Sequence, residues 1–274
     1  MKTAAALLLL FFAMGVAAQT GSFSVAAQAK LDRDFPSPAL SFLLLDSSGS
    51  VLAQRWREGL DTPIPFGSLV KPFLAAAWAE QHPEGFPAVR CQGTKSHCWY
   101  PPGHGTLEIK NAIAYSCNAY FLHLAEDLDR ERASRAFTHY GLNGPGAKAA
   151  SENFAGLGDR WRETPVALLR AYLTLAHERG ADGLVLILQG MAASASYGTA
   201  KALDRLLGAN AVLAKTGTAP CTHRPRAAAD GFTIAIYPQA QPRLILLVRV
   251  HGETGAASAA TAASMLRALE GGTP

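Results

Sequence analysis

The sequence predicts an α+β fold: an antiparallel sheet flanked by terminal helices, with an all-helical lobe inserted between its strands and a cleft between the two. Three observations lead there. Apolar runs of strand length occur towards both ends, stripes at three- and four-residue steps fill the middle, and the last stretch is Ala-rich and helical. Strands from both ends can share one sheet if the central helices form a second lobe, and a ligand then fits the cleft.

In chain order, Met1-Lys2, the apolar residues 4–18 and small residues at Val16 and Ala18 have the make-up of a secretory signal cleaved after Ala18. An uncleaved N-terminal anchor is the competing reading, but about 15 apolar residues fall short of the ~20 that span a bilayer. Residues 19–274 are therefore expected as one exported domain, periplasmic or otherwise extracytoplasmic, with at most peripheral contact with the envelope. Residues 39–54 read as a hairpin around Ser47-Ser48-Gly49-Ser50. A helix should start near Ser68, with Pro72 tolerated in its first turn, and be buried because it is apolar all round beyond Lys71.

The helical lobe is expected over roughly 80–205. Within it, Ile109, Ala112, Ile113, Cys117, Tyr120, Phe121, Leu124 and Leu128 form a stripe, and a Gly/Ala-rich loop runs from Gly141 to Gly158. A helix opens at Thr164-Pro165 and closes before Gly180, and another covers Leu184–Ala193. Strands follow at 211–215, 232–237 and 244–250, the last two joined by a turn over Pro238–Pro242, and a helix over 256–269 ends the chain.

The composition excludes several classes. With 49% hydrophobic and 17% charged residues the chain can bury a core and is no disordered tail. Its 25 Lys+Arg against 21 Asp+Glu give +4 without any block of like charges, which argues against a nucleic-acid partner. No period of 20–50 residues repeats, so solenoids and propellers are out. No nucleotide, metal or organic cofactor motif stands out, and none is expected.

Four cysteines in an exported chain suggest disulfides. Cys91 and Cys98 flank a polar loop and are the candidate pair; closing it would contribute roughly 2.5 kcal/mol. Cys91, His97, Cys98 and His104 could also be read as zinc ligands, but adjacent His97-Cys98 is awkward for a tetrahedral site and free thiols oxidise on export. Cys117 and Cys221 are either a second bridge or two buried thiols.

Three short motifs are candidates for chemistry. Ser68-Leu69-Val70-Lys71 places serine and lysine on one face of a helix start, within hydrogen-bond reach, where the N-terminus favours a developing oxyanion. Ser116-Cys117-Asn118 sets polar groups into an apolar helical region, where they need partners or a purpose. Lys215-Thr216-Gly217-Thr218 ends an apolar strand, with a glycine that weakens the strand unless something approaches its backbone. Each motif alone is cheap.

Together, in this order, they resemble the signature of penicillin-binding proteins and serine β-lactamases. The Thr164–Tyr172 stretch is similar to the Thr-Pro helix of penicillin-binding transpeptidase domains, as are Gly190-Met191 and Gly198-Thr199-Ala200 to the stretch those domains carry before Lys-Thr-Gly. The likeness runs from about Leu43 to the C-terminus. It implies a D,D-transpeptidase or D,D-carboxypeptidase acting on D-Ala-D-Ala stem peptides of peptidoglycan through an acyl-enzyme, and acylated by β-lactams. Ser68 would be the nucleophile and Lys71 its base. The reference pKa of lysine is about 10.4, so neutrality near pH 7 requires about 4 kcal/mol against the charged form, supplied by burial and by Lys215.

The resemblance further implies that Ser116 passes a proton to the leaving nitrogen while Asn118 holds the substrate amide and orients Lys71. Lys215, Thr216 and Thr218 would bind the terminal carboxylate, Gly217 would leave room for substrate, and the backbone N–H groups of Ser68 and Thr218 would form the oxyanion hole. Class A β-lactamases use a Glu-x-x-Leu-Asn loop, which is missing here; Glu163 reads as an ordinary acid at a helix start. Class D enzymes use a carboxylated lysine, a Ser-x-Val motif and Tyr-Gly-Asn, whereas this chain has Ser-x-Asn and Tyr197-Gly198-Thr199. A class D-like β-lactamase and a β-lactam sensor that acylates without turnover stay as alternatives. Whether Lys71 is carboxylated, the acyl acceptor, the oligomeric state and any protein partner are left open.

Overall fold

The computed structural model describes residues 21–181, 183–221 and 228–270. The expected signal segment, 1–18, lies outside them. A helix over 21–34 (α1) comes first, where no element was expected. The hairpin follows as β1 (Leu40–Asp46) and β2 (Val51–Arg55). Its turn is closed by Asp46, whose Oδ1 accepts from the backbone N–H groups of Ser48 and Ser50, with Gly49 at φ +82° where an L side chain would be strained.

The other strands of the sheet come from the far end of the chain: β7 (Leu213–Ala219), β8 (Asp230–Tyr237) and β9 (Leu244–His251). The order is β2-β1-β9-β8-β7, every neighbouring pair antiparallel, so the two chain ends meet at β1–β9. These strands are apolar on both faces because both are covered. Phe42, Leu44, Ala235, Leu246 and Val248 pack under α1 and a C-terminal helix (α10, Gly255–Glu270). Leu43, Leu45, Ile234, Ile236 and Leu247 face the central helices. One charged network crosses this sheet. Buried Asp230 on β8 accepts from Arg249 at 2.6 and 2.8 Å, and Arg249 also holds Glu58. The guanidinium and His251 beside it outweigh burial and hold the Asp230 carboxyl down at about 2.

The central lobe is built around α2 (Lys71–Gln81), buried from Lys71 to Trp78 as expected of a helix apolar all round. The expected stripe is two helices, α3 (Ile109–Ala114) and α4 (Asn118–Glu126), broken at the Ser116 motif. They are followed by α5 (Arg130–His139) and α6 (Ser151–Phe154), the latter inside the expected loop. α7 (Pro165–His177) starts where the Thr-Pro pair predicts, with Thr164 Oγ1 accepting from Ala167 N at 3.1 Å. α8 (Leu184–Ser196) and α9 (Ala202–Leu207) complete it. The lobe is not purely helical: β4 (Val89–Cys91) and β5 (Gly105–Leu107) form a hairpin, and β3 (Ile64–Pro65) pairs with β6 (Arg162–Glu163). No helix among the described residues is long and apolar enough to cross a membrane.

Candidate active site

Ser68 does not open an α-helix directly. It lies in a 3₁₀ turn, Gly67–Val70, and the α-helix begins at Lys71. Pro72 explains the difference. An α-helical bond to the Ser68 carbonyl would need an N–H on residue 72, which proline lacks, so the carbonyl is taken one residue earlier by Lys71 N–H. The turn is pressed against the edge of β7. A Cβ on Gly67 would fall 2.1 Å from the Thr218 carbonyl oxygen, and one on Gly217 would fall 2.4 Å from that of Phe66. The glycine of the third motif therefore makes room for the protein's own backbone, the turn that carries Ser68. The motif also lies within β7 rather than beyond its end. Glycine is tolerated there because β7 is an edge strand, paired to β8 alone.

The two lysines converge on one hydroxyl. Lys71 Nζ donates to Asn118 Oδ1 at 2.7 Å, Ser116 O at 2.9 Å and Ser116 Oγ at 3.4 Å. Lys215 Nζ donates to the same Ser116 Oγ at 2.8 Å and to Thr216 O at 2.7 Å. Both amines are completely buried. Burial lowers the Lys71 pKa to about 7, and burial together with the neighbouring Lys71 amine brings Lys215 well below the ordinary range. Among the described residues no hydrogen bond joins Ser68 Oγ to Lys71, because the lysine's three donors are taken by the second motif. Ser116 itself is held at φ +53°, a left-handed conformation costly for serine, between the end of α3 and Cys117 at the start of α4.

A cavity of about 410 Å³ opens in front of these groups, lined by Ser68, Ser116, Asn118, Thr216, Gly217 and Thr218. The structure thus brings the three motifs together around one void. Lys71 and Lys215 stand behind its wall; both are fully buried and neither is among the residues that line the cavity. Thr216 donates to Thr199 Oγ1 at 2.6 Å, and Thr218 Oγ1 accepts from Gly255 N at 3.1 Å. Trp99, Leu157, Thr199 and the start of α10 also line the cavity and were not picked out as site residues. Gly198-Thr199-Ala200 carried a signal for Thr199, in the stretch before Lys-Thr-Gly; nothing local marks Trp99, which reaches the site by donating to the carbonyls of Tyr115 and Ser116, both at 3.2 Å.

Two sequence expectations need correction. Glu163 does not sit exposed at a helix start; it is buried on β6 and its carboxylate accepts from Asn143 N and Nδ2, Gly144 N and Trp161 Nε1. Burial raises its pKa despite these bonds, and its work is to pin the loop at 143–144. Cys91 and Cys98 stand as thiols, not as a bridge. Both sulfurs turn towards His104 Nδ1, at 3.5 and 3.6 Å, and Cys98 Sγ lies 3.9 Å from Cys117 Sγ, far from the ~2.05 Å of a disulfide. Cys221 sits instead beside Asp230 and His251, so it does not pair with Cys117.

A serine at the head of a buried helix, two buried lysines sharing a second serine, and a Lys-Thr-Gly edge strand across a cleft define a serine acyltransferase domain. The chain belongs to the penicillin binding protein transpeptidase domain family, whose sequence model matches residues 16–269. Solved structures of such domains share the fold. A D,D-transpeptidase domain, FtsI4 of Legionella pneumophila, is 18% identical with a TM-score of 0.65, over 89% of this chain and 94% of that one. Penicillin-binding protein 2 of Helicobacter pylori is 17% identical with a TM-score of 0.75, over 91% of this chain and 63% of that one. Penicillin-binding protein 3 of Mycobacterium tuberculosis, complexed with aztreonam, is 16% identical with a TM-score of 0.65, over 92% and 79%. Among curated proteins none matches.

Proposed function

We propose that this chain is a D,D-acyltransferase of peptidoglycan, a transpeptidase or carboxypeptidase that cleaves the terminal D-Ala-D-Ala bond of a stem peptide. The observation that carries the reading is the pair of buried lysines on Ser116 Oγ behind a cavity walled by Ser68. Ser68 Oγ attacks the carbonyl of the penultimate D-alanine, and neutral Lys71 takes its proton. The developing oxyanion lies between the N–H groups of Ser68 and Thr218, donors worth roughly 3–4 kcal/mol each in other enzymes. The C–N bond then breaks. Ser116 gives its hydroxyl proton to the departing amine and is reprotonated from Lys71, 3.4 Å away. Thr216 and Thr218 hold the carboxylate of the leaving residue, and Lys215 donates to Ser116 Oγ behind them. An amine resolves the ester in cross-linking, water in trimming.

Lys71 acts as a free amine in this scheme. Its Nζ meets three acceptors at once, Asn118 Oδ1, Ser116 O and Ser116 Oγ, whereas the carbamate nitrogen of a carboxylated lysine keeps a single N–H. This favours a penicillin-binding protein over a class D-like β-lactamase. The reading also puts the chain outside the cytoplasm, where peptidoglycan lies. Fluorescent penicillin should label the wild type covalently and leave Ser68→Ala dark, and a pentapeptide ending in D-Ala-D-Ala should release D-alanine. A folded wild type that takes no label would overturn the proposal, and fast penicillin turnover would reassign it to β-lactamase chemistry.

A further inference from the structure

We propose that Cys91, Cys98, Cys117 and His104 bind one zinc ion that fastens the hairpin β4–β5 to the loop carrying Ser116 and Asn118. This goes beyond the reaction proposed above and does not depend on it. The four donor atoms all lie within 4.8 Å of one another, and the three cysteines are buried. Zinc takes sulfur at about 2.3 Å and imidazole nitrogen at about 2.0–2.1 Å, so a tetrahedral site has sulfur–sulfur edges of about 3.8 Å and sulfur–nitrogen edges of about 3.5 Å. Three of the six edges lie at these lengths, 3.9 Å for Cys98–Cys117, 3.5 Å for Cys91–His104 and 3.6 Å for Cys98–His104. Three thiolates and one imidazole are a donor set suited to zinc, which binds cysteine only in its deprotonated form.

The backbone is shaped to gather these groups. Cys91 pairs with Gly105 at the end of the hairpin, beside His104, and a 3₁₀ turn over Gly93–Ser96 folds Cys98 back, its N–H donating to Gly93 O at 3.0 Å. The loop between β4 and β5 needs glycine at two places. A Cβ on Gly93 would fall 1.8 Å from the Pro101 carbonyl oxygen, and one on Gly103 would fall 2.6 Å from that of Cys91. The fourth donor, Cys117, is the middle residue of the second motif, between Ser116 and Asn118. Asn118 Nδ2 donates to His97 O at 3.4 Å, and Trp99 caps the Ser116 carbonyl. The metal would therefore help hold Ser116 in its left-handed conformation. A disulfide would bridge two of the sulfurs and leave the third thiol over, with no role for His104.

Metal analysis of the full chain, purified without chelator, should find about one zinc per molecule, and cobalt exchange should give the thiolate charge-transfer and visible bands of a tetrahedral site. Cys91→Ser and His104→Ala should lower zinc affinity at least about tenfold, and His104→Cys, which keeps a four-donor set, should retain the metal. Stripping with a chelator should lower the melting temperature and slow penicillin labelling, both restored by zinc. A chain without zinc that takes up none, or a disulfide among residues 91, 98 and 117 found by mass spectrometry, would overturn the proposal. If the variants fail to fold, the zinc content and cobalt spectrum of the wild type still decide. Metal content is read without any acylation step, so a protein that binds zinc but takes no label would sink the proposed reaction and leave this site standing.

Discussion

Lys71 can accept the Ser68 proton only when uncharged, and burial lowers its pKa to about 7, so acylation should switch on as pH rises through that value. The fall from 10.5 corresponds to about 5 kcal/mol against the ammonium form, the size expected for an amine wholly removed from water. Below the transition the neutral fraction drops tenfold per pH step, to about 1% at pH 5. The second-order rate of labelling by fluorescent penicillin, measured from pH 5 to 9, should therefore rise by about a hundredfold and level off above pH 8. Lys71→Arg, whose guanidinium stays charged, should label at least about a thousandfold more slowly across the whole range. A flat wild-type profile, or an arginine variant that labels normally, would refute the assignment of Lys71 as the base.

The same burial predicts a stability effect. Lys71 has a folded pKa below its unfolded value, so the penalty for burying it is full below about pH 7 and fades as pH rises towards 10.5. Lys71→Met should be more stable than the wild type by about 1–3 kcal/mol at neutral pH in denaturant unfolding, with the gap closing at high pH, since acceptors left unpaired offset part of the gain. Gly217→Ala should lose at least about 2 kcal/mol and most penicillin labelling, because its methyl would meet the Phe66 carbonyl oxygen at 2.4 Å; thermal unfolding and labelling read both. Asp230→Asn should cost about 3–5 kcal/mol by leaving Arg249 without its closest carboxylate. The wild type should lose about 2 kcal/mol as pH falls from about 4 through 2, where Asp230 protonates; acid titration by circular dichroism would show this component missing in the variant.

Where the sequence was legible, the signal was local. The strands at 40–46 and 244–251 are continuous apolar runs, and their burial on both faces is what such runs require. Thr164-Pro165 marked a helix start to the residue, because capping chemistry acts within one turn. The three motifs are short and ordered, so Ser68, Lys71, Ser116, Asn118 and Lys215 could be named before their convergence was seen. What escaped was set by contacts distant in sequence. Glu163 reads as a solvent-facing acid until the loop at 143–144 closes over it. Nothing in the linear sequence shows that the 3₁₀ turn carrying Ser68 packs against Gly217. Likewise Cys117 was not grouped with Cys91, Cys98 and His104, because nothing in the linear spacing shows that α4 begins beside the hairpin.

The most direct measurement is intact-protein mass spectrometry after brief exposure to benzylpenicillin, followed by peptide mapping. One added penicilloyl group should appear per chain, carried by the peptide that contains Ser68 and missing from Ser68→Ala. An adduct on any other residue, or none on a protein with native circular dichroism, would contradict the acyl-enzyme account.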